Sequence, residues 1–221
     1  MSILLRQLAP MLRPKGKESF LCSLPADARV LDVGCGNNSP VRAKACAPDI
    51  HYTGLDIGDY NQVTGSISSA DEYLIALPED FAAAIERLEG CFDAVVSSHN
   101  LEHCNEPDRV LRAICGALRS GGRLYLTFPS EASTKLPNRP RNTLNFHDDP
   151  THTRPPKLTD VLAQLQAGGL TVDRLTERHR PLLPLLAGLL LEPVSILTRR
   201  AMPFGTTWAL YGFETVIWAR R

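Results

Sequence analysis

Apolar runs alternate with amphipathic stretches from residue 28 to about residue 130, and this alternation predicts strands connected by helices. The predicted strands carry few polar residues, so both of their faces must be buried. Strands of this kind are typical of a parallel sheet with helices on both sides. The predicted strands are Arg29–Val33, His51–Ile57, Tyr73–Ala76, Phe92–Ser97 and Arg123–Phe128.

Helical spacing of apolar residues and helix-end signals predict helices between these strands. Ser39 suits an N-cap and Pro40 suits the first helical turn, where the missing N–H of proline costs nothing. Pro107 stands near the start of a later helical segment, and Gly121-Gly122 follows its end. The predicted helices run from Pro40 to about Cys46, over Pro78–Leu88, and from Glu106 to Leu118.

The second half of the chain has fewer regular elements. A helix is predicted over Leu158–Ala167, and strands are predicted over Leu170–Thr176 and Phe213–Ala219. Together with the earlier alternation, these elements predict an α/β fold in three layers, with a Rossmann-like, doubly wound and mostly parallel sheet.

The chain is predicted to be a single domain of 221 residues whose parts differ in character. Residues 1–27 are expected to form a helical cover, because their apolar positions are broken by Arg6, Pro10 and Arg13, unlike those of a signal peptide. The other parts are the core at 28–130, a polar, proline-rich candidate active-site loop at 131–157, and an apolar insertion at 178–211.

The charge balance and the cysteine pattern indicate which partners and which cellular compartment to expect. Lys+Arg and Asp+Glu both number 24, whereas a protein that binds nucleic-acid phosphates usually carries a basic surplus. We therefore expect no nucleic-acid partner. The 6 cysteines are scattered without a C-x-x-C pair, which gives zinc or disulfide sites little support. Reduced thiols and the absence of a secretory leader predict a cytoplasmic location.

Three polar features follow predicted strands, at the edge where open α/β sheets bind ligands. The first is the turn Gly34-Cys35-Gly36, whose glycines allow unusual backbone angles and leave room for a ligand. The second is Asp56, about 20 residues further on, which is placed either to accept hydrogen bonds from ribose hydroxyls or to form a turn. The third is the run Ser-Ser-His-Asn-Leu-Glu-His at 97–103.

With these features in this order, the chain resembles the class I S-adenosylmethionine-dependent methyltransferases, in particular the small-molecule "type 11" group. The resemblance covers roughly residues 28–130, and F-D-A-V-V-S-S-H-N-L-E-H at 92–103 is its most specific part. The other matching segments are V-L-D-V-G-C-G at 30–36, G-L-D-I at 54–57 and L-R-S-G-G-R-L-Y-L-T-F-P at 118–129.

The resemblance implies S-adenosyl-L-methionine as the cofactor and a last strand inserted antiparallel between strands five and six. In such a site the glycine turn packs against the methionine part, and Asp56 holds the ribose hydroxyls. Asn38 stands where the family often has a third glycine, and asparagine tolerates a left-handed backbone. The cofactor-binding residues implied by the resemblance are Asp32, Gly34, Cys35, Gly36, Asp56, Ile57, Ser97 and Ser98.

The loop after the fifth strand carries the candidates for the acceptor side, in the sequence His-Asp-Asp-Pro-Thr-His at 147–152. A hydroxyl acceptor must lose its proton to a group within hydrogen-bond reach. We expect His147 or His152 to act as the base, and His99 is a further catalytic candidate. The residues expected to bind a small-molecule, glycan or lipid-linked acceptor are Asp148, Asp149 and Arg154.

Two other interpretations of this loop remain open. Asp-Asp-Pro-Thr is good turn chemistry, so the segment is also compatible with a plain structural turn. A divalent metal held by the two histidines and two aspartates is the third interpretation, but their spacing matches no defined motif. We therefore predict no metal.

The apolar segment Leu182–Leu197 is too short for a membrane span, and Pro184 and Pro193 interrupt it. A helix that covers the acceptor pocket or makes a homodimer contact is the simpler expectation. A shallow membrane contact, helped by Arg199-Arg200, is the alternative.

Two other function classes share part of the pattern. A non-catalytic module that only binds the cofactor would leave the polar loop at 145–154 without a purpose. An NAD-dependent oxidoreductase would share the glycine turn and the acid after the second strand. It would normally have a sixth-position glycine where this chain has Ser39.

Overall fold

The computed structural model describes residues 14–59 and 69–221. The part of the predicted N-terminal cover that falls on residues 1–13 lies outside the described residues. The strands are β1 (Arg29–Val33), β2 (His51–Asp56), β3 (Glu72–Ile75), β4 (Phe92–Ser98), β5 (Leu118–Pro129), β6 (Thr171–Thr176) and β7 (Glu214–Arg220). They form one sheet in the order β3-β2-β1-β4-β5-β7-β6.

The helices lie between these strands in the chain. They are α1 (Lys17–Leu21), α2 (Ser39–Cys46), α3 (Phe81–Glu86), α4 (Pro107–Ala117), α5 (Leu158–Ala167), α6 (Leu182–Thr198) and α7 (Thr206–Tyr211). Single 3₁₀ turns occur at Leu101–His103, Glu131–Lys135 and Phe146–Asp148.

The strand pairing confirms the predicted doubly wound α/β fold. The first five strands pair in parallel, and β7 lies antiparallel between β5 and β6. The strand order reverses between β1 and β4, and the carboxyl ends of strands on either side of such a switch point form the usual ligand crevice. The fold therefore brings the three polar features of the sequence to one place.

Both faces of the sheet are buried, which explains the nearly continuous apolar strands. Leu31 and Val95 face one core, which α3 and α4 cover. Their neighbours Val30 and Val96 face a second core, which includes Phe20 of α1. Because successive side chains of a strand point to opposite faces, each central strand supplies apolar groups to both cores.

The structure corrects three details of the predicted elements. Ser39 is not the N-cap of α2: Asn38 takes that place with a left-handed φ of 61°, and Ser39 is the first helical residue. The helix predicted over Pro78–Leu88 is shorter, and β5 begins at Leu118, well before the predicted start. Gly121 and Gly122 therefore lie within a strand, where a register irregularity follows the pairing of Phe92 with Leu118.

The apolar insertion folds as one helix, α6, with Pro193 inside it. It packs on α7 so closely that a Cβ on Gly188 would lie 2.3 Å from the carbonyl oxygen of Thr206. Its opposite side is exposed and apolar. Among the helices that the structure describes, none is both long and apolar enough to cross a membrane.

Candidate active site

A cavity of about 660 Å³ opens at the carboxyl ends of β1, β2 and β4. This volume lies within the range of small-molecule sites in proteins. The glycine turn and the end of β2 form one side, and the segment after β4 with the loop after β5 forms the other. Its wall includes Gly36, Asp56, Ile57, His99, His103 and Thr151.

The two glycines of the turn are required for different reasons. Gly34 has a φ of 68°, and a Cβ there would lie 2.3 Å from Oδ1 of Asn100, so the space is already filled by protein. Gly36 has a φ of 59°, and a Cβ there would meet nothing within 4 Å. Because Gly36 lines the cavity, a Cβ would take up ligand space. Asn38 continues the turn with its own left-handed φ of 61°.

Asp56 places a carboxylate on the cavity wall. One oxygen accepts the N–H of Gly36 at 2.7 Å and the other accepts the N–H of Ile57 at 2.8 Å. Burial raises the pKa of Asp56, and these two hydrogen bonds oppose the rise. Each oxygen keeps a second lone pair, so the group can still accept hydrogen bonds from a pair of hydroxyls. This pattern of acceptors fits a ligand with two neighbouring hydroxyls, such as a ribose.

Asp32 lies below the turn and does not line the large cavity. Its Oδ2 atom accepts hydrogen bonds from Lys17 Nζ at 2.6 Å, Ser39 Oγ at 2.7 Å and the Tyr52 hydroxyl at 2.6 Å. These bonds tie α1, β1, β2 and the start of α2 together beneath the glycine turn. The sequence pointed to Asp32, but nothing near it predicted Lys17 or Tyr52 as partners.

Cys35 acts as a small buried side chain of the turn. Burial raises the pKa of its thiol to about 12, so it stays protonated at neutral pH. A Cβ on Gly54 would lie 3.1 Å from this sulfur. There is therefore no space for a larger side chain at position 35.

Ser97 and Ser98 end β4 in different surroundings. Ser97 is fully buried. Ser98 shares a hydrogen bond of 3.0 Å with Thr127 Oγ1 and faces a second cavity of about 240 Å³. Gly34 and His99 line both cavities, so the two spaces adjoin at the end of β4. Ser98 therefore lies beside the larger cavity rather than on its wall.

His99 is held between two carboxylates from distant parts of the chain. Its Nδ1 atom lies 3.1 Å from Glu102 Oε1, and its Nε2 atom lies 3.1 Å from Glu214 Oε2. Burial alone would lower the pKa of His99, but the two acids outweigh it and raise the pKa to about 9. Both ring nitrogens then donate at neutral pH. The geometry therefore disfavours the expected catalytic use of His99 as a proton acceptor and gives it the role of joining β4 to β7.

The two aspartates of the loop shape the backbone. One oxygen of Asp148 accepts the N–H groups of Arg139 at 2.7 Å, Asn145 at 2.8 Å and Leu144 at 3.1 Å. Asp149 accepts the N–H and the hydroxyl of Thr151. Neither residue lines the large cavity, so their positions favour the turn interpretation over acceptor binding.

Arg154 and His147 also lie away from the cavity wall. Arg154 forms an exposed ion pair with Asp108 at 3.4 Å. His147 is exposed, and its ring packs edge-on against Phe146. The placement of these two side chains gives no support to the acceptor-binding role expected of Arg154 or the base role expected of His147.

His152 is the loop histidine that the fold turns towards the site. Its Nδ1 atom lies 2.6 Å from the carbonyl oxygen of Phe146, and its ring lies 4.7 Å from that of His103. Burial lowers the pKa of His152, so the imidazole is neutral at neutral pH. Ligand atoms of Glu102, His103 and His152 lie within 4.8 Å of one another. The run at 97–103 predicted a role for this segment, but the pairing of His103 with His152 depends on the fold.

Comparison with known sequences agrees with this geometry. Residues 31–126 match a protein family described as a methyltransferase domain. A "Ubiquinone biosynthesis O-methyltransferase" of Xanthomonas axonopodis pv. citri is 32% identical over 109 residues, which cover 47% of this chain and 44% of that protein. A "27-O-demethylrifamycin SV methyltransferase" of Amycolatopsis mediterranei is 33% identical over 120 residues, which cover 49% of this chain and 43% of that protein. In these matches the chain spans less than half the length of either relative.

Solved structures share the whole fold at lower identity. A crystal structure of a SAM-dependent methyltransferase from Archaeoglobus fulgidus superimposes with a TM-score of 0.56 and 16% identity. The superposition covers 99% of this chain and 91% of that one. The shared fold thus extends beyond the matched sequence segment to the antiparallel β7.

Proposed function

We propose, from the match of residues 31–126 to a methyltransferase family, that the protein is a class I S-adenosylmethionine-dependent methyltransferase that methylates a hydroxyl group of a small-molecule, glycan or lipid-linked acceptor. The observation that carries the proposal is the large cavity. One side of it presents Gly36 and Asp56, and the other side presents His103 and Thr151. A cofactor and an acceptor can therefore meet within one cavity.

The cofactor side fits S-adenosylmethionine, which supplies a methyl group on a positively charged sulfur. The open space at Gly36 admits the ligand against the backbone, and the lone pairs of Asp56 suit the two ribose hydroxyls. Ile57 adds an apolar surface at the same wall. Holding two reactants in one orientation contributes about 7–11 kcal/mol in favourable cases, so positioning supplies much of the rate.

The acceptor hydroxyl must also lose its proton during the reaction. As the C–O bond forms and the C–S bond breaks, the hydroxyl loses its proton and the sulfur becomes a neutral thioether. We assign the removal of this proton to the cluster of Glu102, His103 and His152, because His103 lines the cavity and the other two lie beside it. Of the two loop histidines predicted as the base, His147 and His152, we assign the role to His152.

The names of the relatives support oxygen as the acceptor atom. Both are named as enzymes that act at oxygen, one in ubiquinone biosynthesis and one on a demethylated rifamycin. All 6 cysteines are free thiols, which suits a reducing compartment, and a cytoplasmic location is part of the proposal.

The first test is calorimetric titration with S-adenosylhomocysteine, with NADH as the control. We expect micromolar binding of the former and none of the latter. Transfer of a labelled methyl group from S-adenosylmethionine to phenolic, sugar and lipid-linked hydroxyl compounds then tests catalysis. Binding without transfer to any compound of the panel would favour a non-catalytic cofactor-binding module, and binding of NADH alone would favour an oxidoreductase.

The loop histidines provide a sharper prediction. His152→Ala is expected to lower methyl transfer by about 100-fold, which is typical for loss of a group that handles a proton. Binding of S-adenosylhomocysteine should change little, because His152 lies away from the glycine turn. His147→Ala, a matched change in the same loop at an exposed ring, should have less than about twofold effect on transfer. Equal losses in both variants would contradict the assignment.

A further inference from the structure

We propose that Glu102, His103 and His152 bind one divalent transition-metal ion at the wall of the large cavity. The metal site itself is independent of the reaction, while its catalytic role rests on the proposed function. The sequence predicted no metal, because the loop residues considered as ligands match no defined spacing. The ligands proposed here come from two segments that only the fold brings together.

The distances suit a site that closes around an ion. The ligand atoms of the three residues lie within 4.8 Å of one another. Donors that share an ion with bonds of about 2.0–2.2 Å lie about 3–4 Å apart. His103 is exposed, so a small shift of its side chain that keeps the hydrogen bond to Thr151 can close the remaining gap.

Each imidazole is already fixed by its other nitrogen. Nδ1 of His152 donates to the carbonyl oxygen of Phe146 at 2.6 Å. Nδ1 of His103 lies 2.9 Å from Thr151 Oγ1, which donates to Asp149 at 2.6 Å, so the histidine nitrogen carries the proton. Both Nε2 atoms therefore keep a lone pair. Histidines that bind metals are usually oriented in this way by a carbonyl or a carboxylate-linked partner.

Glu102 supplies the negative charge. Its side chain is fully buried, and Oε1 bonds to His99 at 3.1 Å. Its second oxygen, Oε2, has no hydrogen-bond partner among the described residues. A buried carboxylate oxygen without a partner is costly, and a cation satisfies it directly.

The donor set indicates the kind of ion. Two imidazole nitrogens and one carboxylate suit Mn²⁺, Fe²⁺, Co²⁺, Ni²⁺ or Zn²⁺ better than Mg²⁺ or Ca²⁺, which prefer oxygen ligands. Three protein ligands also leave open positions on the ion, which is typical of catalytic sites.

The position of the ion beside the cavity would let it bind the acceptor hydroxyl. His103 and Thr151 line the cavity, so an acceptor hydroxyl can reach the open position. A bound cation lowers the pKa of a hydroxyl on it, and the proton then leaves to solvent. With the ion bound, His152 coordinates the ion and does not take the proton itself, so the loss of transfer expected for His152→Ala would then report loss of the ion.

The test is a titration of the purified, metal-stripped protein with Mn²⁺, with free Mn²⁺ followed by electron paramagnetic resonance. We expect one bound Mn²⁺ per chain and at least tenfold weaker binding in His103→Ala and in His152→Ala. Glu102→Gln, which keeps the shape and removes the charge, should weaken binding similarly. His51→Ala alters an exposed histidine at the start of β2 and serves as the matched control.

Two results would overturn the site: no binding of Mn²⁺, Co²⁺ or Zn²⁺ to the parent protein, or equal binding in the parent and the His103→Ala/His152→Ala double variant. Thermal melting confirms that the variants are folded. Calorimetry with S-adenosylhomocysteine tests the proposed function separately, because cofactor binding does not require the ion. Normal binding of S-adenosylhomocysteine without metal binding would overturn the metal site alone. Chelation should lower methyl transfer at least tenfold and Mn²⁺ should restore it.

A second, independent observation concerns the exposed face of α6. We propose that this face binds the surface of a bilayer that contains anionic lipid. Leu190 is 82% exposed, Leu197 is 84% exposed, and Phe204 just beyond the helix is 89% exposed. Other exposed apolar residues of the same helix are Leu182, Leu183, Leu186, Leu189, Val194 and Ile196. A surface of this kind on one helix is typical of an interfacial contact.

Arginines at both ends of the helix favour an anionic occupant. Arg178 and Arg180 precede α6, and Arg199 and Arg200 follow it, all exposed. None of the four forms an ion pair with a carboxylate among the described residues. Glu192, the acid within α6, is bonded instead to Arg139 and to the Tyr211 hydroxyl. A second copy of the chain would set arginines against arginines in either helix direction, whereas anionic headgroups complement both ends.

Flotation with vesicles tests this surface. We expect the protein to bind vesicles of phosphatidylcholine with 30% phosphatidylglycerol, and to bind pure phosphatidylcholine at least fivefold less. Leu190→Gln/Leu197→Gln and Arg199→Gln/Arg200→Gln should each reduce binding at least fivefold, while Arg112→Gln, away from α6, should not. A failure to bind anionic vesicles would overturn the proposal. So would a dimer in sedimentation that the leucine double variant dissolves.

Discussion

Replacing Asp56 with asparagine is expected to weaken binding of S-adenosylhomocysteine by about 100-fold, while the protein stays folded. The carboxylate accepts backbone N–H groups of Gly36 and Ile57 and keeps a lone pair on each oxygen for the ligand. Hydrogen bonds to a charged group contribute about 1.5–3 kcal/mol each, and an amide offers one acceptor oxygen where the carboxylate offers two. Calorimetric titration of the variant measures the loss.

Asp59→Asn is the matched control for this change. It removes the same charge three residues further on at an exposed position, and it should leave binding within about twofold. Tight binding by the Asp56 variant would mean that the ribose hydroxyls are held elsewhere. A large fall in melting temperature would instead show that the carboxylate mainly supports the turn.

Alanine at the two glycines of the turn is expected to produce opposite phenotypes. Gly34→Ala should destabilise the fold by about 3 kcal/mol, because a left-handed alanine costs roughly 1–2 kcal/mol and overpacking adds about 1–3 kcal/mol. The new Cβ would press against Asn100. Gly36→Ala should cost only about 1 kcal/mol of stability but weaken S-adenosylhomocysteine binding at least about tenfold, because its Cβ enters the cavity.

Thermal melting and calorimetry of both variants provide the check. A loss of about 3 kcal/mol should lower the melting temperature by roughly 10 °C for a chain of this length. Gly90→Ala has a comparable positive φ of 66° and open space around it, so it reports the backbone cost alone. Normal cofactor binding by Gly36→Ala would show that the ligand does not approach the turn.

The elements that could be predicted from the sequence are those fixed by local signals. β1, β2 and β4 are apolar on both faces, and their predicted bounds agree with the observed ones to within one residue. The start of β5 was missed because Gly121-Gly122 resembles a helix stop. In the fold these glycines lie in a strand that extends back to pair Leu118 with Phe92, and no local pattern encodes that pairing.

The residues of the site also differ in whether local sequence signals could predict them. The glycine turn and Asp56 follow strands directly, so sequence position alone placed them at the correct edge of the sheet. The role of His99 could not be predicted, because its second partner, Glu214, lies 115 residues away. The contacts of His152 with Phe146 and His103 likewise depend on how the loop after β5 folds back over the segment that follows β4.

The antiparallel position of β7 has a consequence for the order of folding. β7 is the last of the seven strands in the chain, yet it lies inside the sheet between β5 and β6. It brings Glu214, which bonds His99 and His179 at once. During synthesis on the ribosome the half of the sheet from β1 to β5 can pair early, whereas β6 has no neighbour until β7 emerges. Such long-range pairing slows folding, so a nascent chain gains its finished site only at the end of translation of this region.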